Sequence, residues 1–122
     1  MLGGQRLWQG TILSRRLTSR VEVSEDVWVY WRCAGHEDLS RIRNLGMGGL
    51  LIETSKARPV GTTTNVEFLV QEGQIRAEAV VRHAKSSRGL GLKFTAVSER
   101  DRPNLAALMT RLRGLSRSRG NL

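Results

Sequence analysis

Hydrophobic positions along the chain alternate with polar ones for most of its length. Val21 and Val23 alternate, and Val27, Val29 and Trp31 then alternate against Trp28 and Tyr30, which predicts a strand over 21–33. A turn is expected at Gly35 to Asp38. Leu39 to Arg43 reads as a short strand with Ile42 inward, and Asn44 to Gly49 as a glycine-rich turn. Leu50 to Thr54 is a further strand, followed by a loop over 55–63 containing Pro59 and Gly61. Val66, Phe68 and Val70 alternate before a hairpin turn at Gln71 to Gln74. Ile75, Ala77, Ala79 and Val81 alternate after it, and a turn over 85–89 leads to Leu90, Leu92 and Phe94. Successive short strands joined by hairpins predict an antiparallel sheet or a small barrel.

After Val97 the period changes. Leu105, Leu108, Met109, Leu112 and Leu115 fall at helical spacing, so the first four are expected to face the barrel. Asp101 is the better N-cap, because Pro103 fits only the first turn, and Gly114 marks the expected end. The domain organisation follows: an N-terminal arm over 1–14, a domain over 15–115, and a basic tail over 116–122.

The 122 residues suit one domain with a modest core. The net charge of +9, with 17 of the 20 cationic residues being arginine, favours an anionic partner. Arginine's planar fork suits phosphates and guanine edges. Cys33, the single cysteine, excludes an internal disulfide and leaves too few thiols for a structural zinc site. No apolar run is long enough to cross a membrane and no secretory signal is visible, so a cytoplasmic location is expected. The two histidines, His36 and His83, have no carboxylate at a suggestive spacing, and no catalytic motif occurs. The chain is therefore expected not to be an enzyme.

Two segments remain as candidates. Arg15-Arg16-Leu17-Thr18-Ser19-Arg20 could present guanidinium forks to a ligand, or could be a solvated basic linker. Asn44-Leu45-Gly46-Met47-Gly48-Gly49 precedes a strand rather than a helix, so it is not a dinucleotide-binding loop of the Rossmann kind. It reads as a tight turn, either purely structural or with backbone amides turned to a ligand.

Together the two segments resemble the PilZ family. Arg16 and Arg20 match its RxxxR motif, with Arg15 as the frequent extra arginine. Asn44 and Gly49 match the ends of its (D/N)xSxxG motif, and Gly46 stands where the family has serine. Gly89-Leu90-Gly91-Leu92-Lys93-Phe94 is similar to the family's late glycine-containing strand. The likeness runs from about Arg15 to the end of the helix. It implies a mainly β fold, a six-stranded antiparallel split barrel with a C-terminal α-helix. It also implies a cyclic di-GMP receptor in bacterial signalling, with no other cofactor and no metal. Arg15, Arg16 and Arg20 would grip phosphate and a guanine edge, and Asn44, Gly46 and Gly49 would contact the rest of the ligand. Glycine at 46 lacks the serine hydroxyl, a contact worth about 0.5–1.5 kcal/mol. A downstream protein partner is expected and nucleic acid is not, because only Trp8, Trp28 and Tyr30 could offer a stacking face. The alternative is a degenerate PilZ adaptor that binds proteins and not the nucleotide.

Overall fold

A computed structural model describes residues 20–120 apart from 57, 86 and 87; the expected N-terminal arm, Arg15 and Arg16 lie outside the described residues. Seven strands precede one helix: β1 Val21–Glu22, β2 Trp28–Cys33, β3 His36–Gly46, β4 Gly49–Glu53, β5 Thr63–Leu69, β6 Arg76–Lys85, β7 Gly89–Val97 and α1 Arg102–Gly120. The strand order β3-β2-β5-β6-β7-β4 returns to β3 through a β3–β4 pairing, which closes a six-stranded antiparallel barrel. Closure removes the free sheet edges. The short β1 adds to the same barrel by pairing with β3.

Alternation drives the assembly. Every second residue of β5 is buried along its whole length, as a strand with one wet face requires. Trp31 is fully buried, and its indole N–H donates to the Ser40 hydroxyl at 2.9 Å. That bond satisfies two buried polar groups on neighbouring strands.

Three expected boundaries move. The predicted strand over 21–33 is interrupted. Val21 pairs with Leu45 and Trp28 with Arg41, so seven steps on this side match four on β3 and three residues loop out. The ladder resumes on each side of the loop, with Val23 N–H donating to the Arg43 carbonyl and Ile42 N–H to that of Val27. The turn expected at Gly35 to Asp38 is only Ala34-Gly35, because Cys33 already pairs with His36. Both turn residues have positive φ, 50° and 81°, the conformation of a two-residue hairpin of type I′. β3 is consequently eleven residues long rather than a short strand at 39–43.

Leu105, Leu108, Met109 and Leu112 are all buried in the barrel's core cluster, as their spacing predicts. Leu115 is exposed, and the helix continues through Gly114 to Gly120. Gly114 sits inside the helix, where a glycine costs about 1 kcal/mol without ending it. Asp101 stands at the N-cap: its carbonyl accepts from Leu105 N–H at 3.1 Å. Its buried carboxylate turns to the barrel and accepts from Arg76 N–H at 3.0 Å.

Arg111 fastens the middle of the helix. Its fork binds both carboxylate oxygens of Glu72 in the β5–β6 turn, the Nη2–Oε1 contact being 3.1 Å, and Nη1 donates to Glu25 in the looped-out segment. The Arg111 bond holds the Glu72 carboxyl below its ordinary value of 4.5. A carboxylate with a lowered folded pKa stabilises the fold above its unfolded value, and that share is lost as pH falls through the folded value. Glu72→Gln is therefore expected to lower the melting temperature at pH 7, with the gap to the parent closing in acid below 4.5. A gap that stays constant from neutral to acid pH would show that the charge on Glu72 does not contribute.

Candidate functional site

The expected turn at Asn44 to Gly49 is mostly strand. β3 runs through Gly46, which pairs with Gly49, so the turn itself is Met47-Gly48. Ile42 pairs with Ile52 but Asn44 with Leu51, leaving Arg43 as an extra residue. Such a bulge resets the alternation. Ile42 and Leu45 both point into the core, while Arg43 and Asn44 are left together on the outside.

Arg20 immediately precedes β1 and reaches this outer face. Its Nη1 donates to Asn44 Oδ1 at 2.6 Å and lies 3.5 Å from the Gly49 carbonyl oxygen. The structure thus joins the described end of the arginine segment to both ends of the Asn-Gly segment. Gly46 is buried within the strand. Gly49 has a steric reason to be glycine: a Cβ there would stand 2.2 Å from the Leu92 carbonyl oxygen of β7.

Beside Arg20 lies a cleft of about 290 Å³ lined by Arg20, Gly48, Arg82, His83, Gly91, Leu92 and Lys93. A second bulge shapes its far wall. Val81 pairs with Leu92 and His83 with Gly91, so Arg82 is the extra residue of β6. Arg82 and His83 are consequently consecutive and both exposed. Gly91 leaves room for the imidazole, since a Cβ on it would lie 3.3 Å from His83. Among the described residues, three cationic side chains line the cleft and no carboxylate does. Such a concavity attracts anions and suits phosphate.

Arg82 and Lys93 were not legible as site residues. Their place depends on β7 lying between β6 and β4, and on a bulge that leaves no mark in the alternation. His83 drew notice only as a possible catalytic residue. It lines this cleft, whereas His36 lines a separate hollow at the β2–β3 turn.

No curated protein is significantly similar in sequence. Solved structures resemble the fold. The PilZ domain of YcgR from Escherichia coli, solved with c-di-GMP, superposes with a TM-score of 0.70 at 17% identity, covering 88% of this chain and 98% of that one. The Bacillus subtilis inhibitor of motility (MotI/DgrA) gives 0.64 at 19% identity, with 76% of this chain covered and 49% of that one, so this chain spans about half its length. MrkH from K. pneumonia in its apo state gives 0.70 at 15% identity over 83% of this chain and 50% of that one. The PilZ domain model matches residues 14–111, from the arginine segment to the middle of the helix, and on that match the chain belongs to the PilZ domain family.

Proposed function

We propose that this chain is a non-catalytic receptor for cyclic di-GMP, acting in the cytoplasm and passing the signal to a protein partner. The observation that carries this reading is the Arg20–Asn44 hydrogen bond, which joins the last residue of the RxxxR segment to the first of the Asn-Gly segment. The c-di-GMP in the YcgR structure supports the choice of ligand.

The chemistry suits a guanine dinucleotide. A guanidinium has five N–H donors, and the bonds from Nη1 to Asn44 and to the Gly49 carbonyl use two at most. The others remain for the O6 and N7 acceptors of guanine or for phosphate oxygens. Asn44 holds the fork in place before ligand arrives, which lowers the ordering cost of binding. Arg16, four residues earlier, is the second arginine of this reading, with Arg15 beside it. Gly46 and Gly49 bring the backbone close to the ligand.

Gly46→Ser tests how far the site has departed from the family's motif. Gly46 lies in extended β3 backbone, which serine adopts without strain. The added hydroxyl is expected to tighten cyclic di-GMP binding by up to about tenfold, as one neutral hydrogen bond would. Calorimetric titration of parent and variant reads this directly. Unchanged affinity in a well-folded variant would remove position 46 from the site.

A further inference from the structure

We propose that the β6 bulge forms the second wall of the nucleotide site, with Arg82 and Lys93 holding a phosphate and the His83 imidazole stacking on a base. This rests on the receptor reading above and extends it to residues outside the arginine and Asn-Gly segments.

Three independent features converge on this wall. The first is the bulge, which puts Arg82 and His83 on the same outer surface although they are consecutive. Regular alternation would send one of them into the core. Bulges disrupt a ladder and are enriched beside binding sites, where they re-aim side chains. The bulge at Arg43 likewise leaves Asn44 outside, where it accepts from Arg20, a lining residue of the cleft.

The second feature is charge that the fold does not use. Arg41, Arg43 and Arg111 are paired with carboxylates. Neither Arg82 nor Lys93 makes an ion pair with a described residue, and no acidic side chain lines the cleft beside them. Cations crowded without counter-charge on a concave surface repel one another, and an anion in the cleft relieves that repulsion.

The third is the glycine opposite His83. With no side chain at 91, the His83 side chain packs against the bare backbone of its partner residue and lines the cleft. An imidazole ring is a platform for a nucleobase. The cleft's 290 Å³ is near the lower limit of small-molecule sites, enough for part of a dinucleotide. One half of the ligand then meets Arg20 and the other half meets the bulge.

The test is calorimetric titration of the full chain with cyclic di-GMP, comparing Arg82→Ala, Lys93→Ala, His83→Ala and His83→Phe with the parent. Arg32→Ala, on a different face of the barrel, controls for the loss of one positive charge. Arg82→Ala is expected to weaken binding by roughly tenfold or more, the effect of losing a charge-assisted contact. His83→Ala should weaken it by about fivefold or more, with His83→Phe close to the parent, since phenylalanine also stacks. Arg32→Ala should leave affinity unchanged. If alanine at 82 disturbs the bulge, as an altered melting temperature would report, Arg82→Gln removes the charge and keeps the stem. If Arg20→Ala weakens binding while the Arg82 variants match Arg32→Ala, the wall is not part of the site and the receptor reading stands. If the parent itself does not bind, the receptor reading fails and this proposal fails with it.

Discussion

Replacing Arg20 with alanine is expected to weaken cyclic di-GMP binding by roughly ten- to hundredfold without moving the melting temperature. The side chain is exposed and its partner Asn44 is only half-buried, so removing the guanidinium leaves no orphaned polar group in the core. Stability therefore stays within about 0.5 kcal/mol of the parent. The ligand loses a charge-assisted contact worth about 1.5–3 kcal/mol, which sets the size of the effect. Asn44→Ala removes the same contact at one remove, because Arg20 keeps its charge and loses its anchor. It should cost less affinity than Arg20→Ala. A titration in which Asn44→Ala is the more damaging would mean that Asn44 touches the ligand itself and is more than a support for Arg20.

Replacing Gly49 with alanine should have the largest effect on folding, about 3 kcal/mol of lost stability and a melting temperature lower by roughly 10 °C. The clash is with backbone: the new Cβ would stand 2.2 Å from the Leu92 carbonyl oxygen and 3.1 Å from Lys93 Cα. Neither can rotate away, so β4 and β7 must separate along their shared seam in the barrel wall. Gly89 plays the same part at the other end of that seam, where a Cβ would lie 2.7 Å from the Ile52 carbonyl oxygen. Gly48→Ala is the matched comparison. Gly48 is exposed and a Cβ there meets nothing within 4 Å, so that variant should melt like the parent. Equal melting of the two variants would show that the seam tolerates side chains and that Gly49 is not needed for closure.

Gly49 illustrates which parts of the molecule were legible in the sequence. Its place in the Asn-Gly segment marked it as a ligand residue, whereas the structure gives it a steric task in the barrel wall. Strand phases were readable wherever one face is buried, as in β5, because alternation is a local property. The helix was readable for the same reason, from Leu105 to Leu112. Its extension past Gly114 was not, since a glycine stops a helix only when it adopts the cap conformation. His36, Glu37 and Asp38 looked like a turn because they are polar, yet they pair with β2 on a wet part of the barrel. The extra residues at Arg43 and Arg82 were invisible because a bulge is defined by the partner strand, and partners are set by the whole topology. The same limit applied to the site. Arg20 and Asn44 were singled out through the family's two short motifs, but Arg82 and Lys93 come beside Arg20 only through the pairing of β7 with both β6 and β4.

This basic barrel is expected to recognise cyclic di-GMP specifically and not merely to collect anions. Calorimetric titration of the intact chain with cyclic di-GMP and, in parallel, with GTP at low and physiological salt tests it most directly. GTP carries guanine and more negative charge, so binding driven by the net charge of +9 would favour it and would fade as salt rises. The expected result is saturable cyclic di-GMP binding that persists at physiological salt, with GTP binding weak and lost. Equal, salt-sensitive binding of both ligands, or no binding of cyclic di-GMP at millimolar concentration, would contradict it.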